Sequence, residues 1–94
     1  MLDGKIVIFK SFKSENKNKT QIKYMMEDNS GNKNSLGLNE FEEWFDSSAI
    51  FERLSREDIL KPLEAKYTFV VGFNGTAKPK LLSIKNSSGN EILG

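Results

Sequence analysis

The sequence predicts a mainly β fold with one or two short helices, in the order β-β-β-α-β-β. Three observations predict it. Apolar residues alternate with polar ones in runs near both ends of the chain, polar turn clusters follow those runs, and one acidic, aromatic stretch in the middle takes a helical spacing instead. Ninety-four residues suffice for one core and one domain, 1–94. A hydrophobic fraction of 37% and a net charge of +1 place the chain among folded rather than disordered sequences.

Residues 5–13 are rich in Ile and Val and form the first predicted strand, with Ile6 and Ile8 on one face and Val7 and Phe9 on the other. The polar residues 14–19 make a turn. Residues 20–27 then alternate, with Thr20, Ile22, Tyr24 and Met26 on one face, so a hairpin with a basic tip is expected. Residues 28–34 form a second turn cluster, and Ser35-Leu36-Gly37-Leu38 is read as a short third strand. At Asn39 the period changes. Asn39 followed by Glu42 fits a capping box, and Phe41, Trp44 and Phe45 fall on one helical face. Ser55-Arg56-Glu57-Asp58 is a second helix-start signal, with Pro62 expected to end the short turn after it. Residues 66–73 make the strongest strand, lining Tyr67, Phe69, Val71 and Phe73 along one face. Asn74-Gly75 gives a turn, Lys80–Lys85 a partner strand, and residues 91–94 a short tail. This order in one small domain is that of the OB-fold, a partly open five-stranded barrel that often binds oligonucleotides.

The residues that are missing narrow the chemistry. Without Cys or His, the common zinc sites are unavailable and Cys-His and Ser-His-Asp nucleophilic sites are excluded, which leaves open only a carboxylate-based active site. Gly72-Phe73-Asn74-Gly75 lacks the Lys-Ser/Thr and glycine spacing of a phosphate loop. The chain is accordingly read as a non-enzyme with no cofactor. The carboxylates Glu40, Glu42, Glu43 and Asp46 match no calcium loop and are read as a solvated helix face. No membrane-spanning run and no signal-peptide pattern is present, so a cytoplasmic protein without membrane partners is expected.

Charge is uneven. Residues 1–35 carry +3, residues 36–65 carry −5, and residues 66–94 carry +3. Basic terminal segments joined in one sheet would make a positive face for an anionic partner, although lysines also serve simply to solvate strand edges. Single-stranded nucleic acid needs cations for phosphates and rings for bases. The candidate cations are Lys10, Lys13, Lys17, Lys19, Lys23, Lys78, Lys80 and Lys85, with the two hairpins at residues 14–19 and 74–80 expected to grip the strand. The candidate rings are Phe9, Phe12, Tyr24, Tyr67 and Phe73. Tyr67 and Phe69 share the most apolar face in the chain, which favours core positions over stacking ones for both. Trp44, with Phe41 and Phe45, is read as part of a helix packed over the barrel mouth.

The run Leu63-Glu64-Ala65-Lys66-Tyr67-Thr68-Phe69-Val70, followed by Lys80-Leu81-Leu82-Ser83-Ile84, resembles the final strands of small phage single-stranded DNA-binding proteins, the helix-destabilising group. Ala65 stands where that family carries Gly, and Phe69-Val70 is shifted by one position. The likeness covers about the last third of the chain. It implies an OB-type barrel, cooperative binding of single-stranded DNA during phage DNA replication, and a homodimer. By type and strand context only Tyr67 and Tyr24 match. The expected function is single-stranded DNA binding, with RNA as the other possible strand. The alternative is a phage-encoded inhibitor or adaptor that binds a protein through the acidic, aromatic segment 36–65.

Overall fold

The computed structural model describes residues 1–27, 33–34, 36–72, 75 and 77–94. Five strands form one antiparallel sheet in the order β3-β2-β1-β4-β5. They are β1 (Leu2–Ser14), β2 (Lys19–Glu27), β3 (Leu38–Phe45), β4 (Pro62–Val71) and β5 (Ala77–Ile84). A single helical turn, α1 (Ala49–Glu52), and a 3-10 turn (Arg56–Asp58) lie between β3 and β4. The expected OB-like order is therefore present, as a curled half-barrel.

β1 belongs to both halves of the sheet. Its first residues pair with β4, from Leu2 opposite Tyr67 to Val7 opposite Pro62. Its later residues pair with β2, from Val7 opposite Met25 to Ser14 opposite Lys19. The register shifts between Ile8 and Lys10, which makes Phe9 a bulge. A bulge bends the strand and increases its twist, and here it lies where the sheet turns from one half to the other. At the bend the Ile8 carbonyl accepts the Leu60 N–H at 2.8 Å.

Curling brings the free edges of β3 and β5 together at one seam, where Glu43 Oε1 accepts the Leu81 N–H at 3.2 Å. Inside, Ile6, Ile8, Ile22, Tyr24, Leu63 and Leu81 pack with Ile50 of α1 and Ile92 of the C-terminal segment. The expected tail is thus a plug. The Ile92 N–H donates to the Ile84 carbonyl, and Arg53 Nη1 donates to the Ile92 carbonyl, each at 2.9 Å. The Glu91 carboxylate accepts from the Ile84 and Leu93 N–H groups and from the Ser83 hydroxyl.

Three expectations are corrected. Residues 38–45 are a strand, not a helix. Phe41, Glu43 and Phe45 are half-buried on one face, while Glu40, Glu42 and Trp44 are exposed on the other. The i, i+4 pair Phe41/Phe45 satisfies a strand as well as a helix, and β2 supplies a full ladder of partners for the strand. The third strand consequently starts at Leu38, where the sequence suggested it would end. The operative capping box is at Ser55, whose N–H and hydroxyl both donate to buried Asp58, and Pro62 opens β4 instead of only ending a turn. The expected turn at residues 28–34 and Asn74 lie mostly outside the described residues.

The α1 turn is held from outside. Thr20 is buried; its hydroxyl donates to the Ser47 carbonyl at 2.7 Å and accepts the Phe51 N–H at 3.3 Å. Asn18, at φ 51°, accepts from the Ser48 N–H and hydroxyl. Among the described residues no helix is long and apolar enough to cross a membrane.

Candidate nucleic-acid interface

Alternation divides the β1-β2-β3 sheet into an inner face and an outer one. Across the outer face run three rows: Phe12–Gln21–Trp44, Lys10–Lys23–Glu42, and Ser14 with Lys19. Phe12 is 51% exposed and Trp44 47%. Their rings meet edge to face above Gln21, with centroids 6.3 Å apart and planes at 89°. An exposed aromatic pair on a sheet surface is a ready platform for flat, apolar groups.

The cations around this pair are not equivalent. Lys10 and Lys17 make no ion pair among the described residues. Lys13 meets Glu52 at 2.7 Å and Glu15 at 3.7 Å, and it lies 5.6 Å from the centre of the Phe51 ring. Hydrogen bonding to Glu52 raises its proton affinity above the ordinary lysine value. Lys19 faces Asp46 at 3.4 Å, and Lys23 faces Glu42 at 3.9 Å. Across the seam, Lys78 and Lys80 of β5 are exposed and unpaired among the described residues.

The rings named from the sequence divide differently. Tyr24 is completely buried, 5.8 Å from Phe41, and its hydroxyl has no partner among the described residues. Burial, then the nearby Glu43 carboxylate, raises the Tyr24 hydroxyl well above its usual range. Tyr67 is 6% exposed and lies over Gly4, where a Cβ would come within 3.1 Å of the ring. Neither tyrosine offers a face to a base, because alternation turns both into the barrel. Phe73 lies outside the described residues. Phe69, in contrast, is 53% exposed beyond Tyr67, where the β4-β5 hairpin outruns the core.

Trp44 is the exposed ring that the sequence reading places on a helix over the barrel mouth. The signal for it was the alternation of Glu40, Glu42 and Trp44 with Phe41, Glu43 and Phe45. Glu43 obscures that alternation, being a carboxylate on the inward face. Burial raises its proton affinity, opposed by the Leu81 N–H and by Lys80 and Lys78. It is held there by the seam bond to β5. No family model, curated protein or solved structure matches the chain.

Proposed function

We propose that this chain is a non-enzymatic module that binds single-stranded DNA on the outer face of its β1-β2-β3 sheet. One observation carries the reading: Phe12 and Trp44 stand exposed and in contact on that face, beside the unpaired Lys10. Exposed rings of this kind are costly to leave in water, and stacking one base on such a ring contributes roughly 1–3 kcal/mol. The β1-β2 hairpin with Lys17 and the β4-β5 hairpin with Lys78 and Lys80 border the face and supply cations for phosphates. Because the rings ask only for a π-face, the same surface accepts RNA, and sequence preference is expected to be weak.

The test is fluorescence anisotropy of a labelled single strand of about 20 nucleotides, with a duplex of equal length beside it. Micromolar or tighter binding, stronger for the single strand and weakened by salt, supports the reading. Failure to bind at low salt removes it.

The outward Glu40 and Glu42 of β3, with Asp46 just beyond, favour a second reading, a protein partner with a basic surface. Capture of one stoichiometric protein, unaffected by nuclease, would support that reading over the first.

A further inference from the structure

We infer that the phosphate backbone of the bound strand runs over the outer face of β4-β5, across the β3-β5 seam from the rings, and not over the ion-paired lysines Lys13, Lys19 and Lys23 of β1 and β2. The inference rests on the binding reading above and specifies the path of the strand.

The register supplies the track. Lys66 lies opposite Asp3, and Lys5 opposite Glu64. Lys80 and Lys78 lie opposite Thr68 and Val70 on the same outer side. Lys85 joins them beside a shallow depression of about 350 Å³ that Lys5 and Lys66 also line. Five lysines thus share a face with two carboxylates, and none of the five makes an ion pair among the described residues. On the ring-bearing face Lys19 and Lys23 face Asp46 and Glu42, and only Lys10 is unpaired among the described residues.

Ion pairing decides which lysines gain from a phosphate. An unpaired surface lysine that meets a phosphate releases condensed counterions from the nucleic acid, which drives binding. Lys13, Lys19 and Lys23 already face carboxylates at 2.7, 3.4 and 3.9 Å. Each must exchange one anion for another, and it leaves a carboxylate behind beside the incoming phosphate.

The seam joins the track to the rings. Glu43 of β3 and Leu81 of β5 are bonded to each other at 3.2 Å. Trp44 follows the first and Lys80 precedes the second, and alternation turns both outward. The stacking ring and the first lysine of the track therefore flank the same inter-strand bond. Lys78 lies about 6.6 Å further along β5.

The experiment is anisotropy of a labelled thymidine strand of about 20 nucleotides over a series of KCl concentrations, with the full chain and three double variants. Lys78→Gln/Lys80→Gln and Lys66→Gln/Lys85→Gln are each expected to flatten the slope of log K against log salt by about 1.4, two contacts at about 0.7 each. Lys13→Gln/Lys19→Gln is expected to flatten it by less than about 0.5. Wild-type slopes in both β4-β5 variants, or equal flattening in the hairpin variant, overturn the path while leaving single-strand binding intact. Absence of salt-sensitive binding by the unaltered chain overturns the binding reading, and the path with it.

Discussion

The two halves of this barrel share β1 but use their carboxylates differently. In the β1-β2-β3 half three acids pair with lysines, Asp46 with Lys19, Glu42 with Lys23 and Glu52 of α1 with Lys13, while Glu43 points inward to the seam. The exposed groups left over on the sheet include the two rings, Lys10 and Glu40. In the half built on β4 and β5 two acids serve as internal acceptors, while Asp3 and Glu64 stay exposed on the outer face. Asp58 is buried and joins the 3-10 turn to the Ser87 N–H, and Glu91 pins the C-terminal plug to β5. The lysines there stay unpaired. The net −5 of residues 36–65 is therefore no single acidic surface; part of it neutralises one face, and part of it serves as hydrogen-bond acceptors. Segment charge is a poor guide to surface charge when side chains alternate between interior and solvent.

Replacing both rings tests the first half most severely. Phe12→Ala/Trp44→Ala is expected to weaken single-strand affinity roughly 100-fold, about one stacked base per ring. Because both rings are about half exposed, the unfolding midpoint should move little. A variant that unfolds readily would mean that the pair belongs to the core.

In the other half the largest effect is on stability. Asp58→Ala removes the acceptor for the Ser55 and Ser87 N–H groups and should cost about 2–3 kcal/mol in urea unfolding. DNA affinity should be unchanged once the variant is folded.

The acids of the two halves should also respond oppositely to pH. For Asp58, burial pushes the carboxyl up, but hydrogen bonds from Ser87 and Ser55 outweigh it and hold it below the ordinary 3.8. Glu91 is likewise held below 4.5, burial being outweighed by the Ser83 hydroxyl and the backbone N–H groups around it. These two contribute stability above their unfolded values and lose it as pH falls through their lower folded values. Glu43 is raised above 4.5 by burial, so its contribution is full below 4.5 and is lost as pH rises through its folded value. Asp58→Asn with Glu91→Gln should flatten the acid limb of a stability–pH curve. Glu43→Gln should remove the decline above 4.5 and keep an acceptor for the Leu81 N–H. Its gain at neutral pH should be the smallest effect here, about 0.5–1 kcal/mol in urea unfolding.

Four of the five strands are legible in the sequence: on β2 the alternation is unbroken, with Thr20, Ile22, Tyr24 and Met26 all buried, and on β1 Ile6 and Ile8 are buried ahead of the bulge. β3 is not legible, since Glu43 breaks its apolar face and Phe41, Trp44 and Phe45 happen to fit a helix. That one misreading hid Trp44 from the site. Tyr24 lies between buried Ile22 and Met26, and Tyr67 follows buried Leu63 and Ala65, so alternation turns both rings inward. Ion pairing was invisible throughout, because it joins residues as distant as Lys13 and Glu52.

The most direct test of the account is the emission of Trp44, the chain's sole tryptophan, during titration with an unlabelled single strand at low and moderate salt. Stacking predicts saturable quenching, which shifts to higher strand concentration as salt rises and which Phe12→Ala weakens. Saturable binding seen by anisotropy with Trp44 emission unchanged would contradict the claim that the rings of β1 and β3 form the interface.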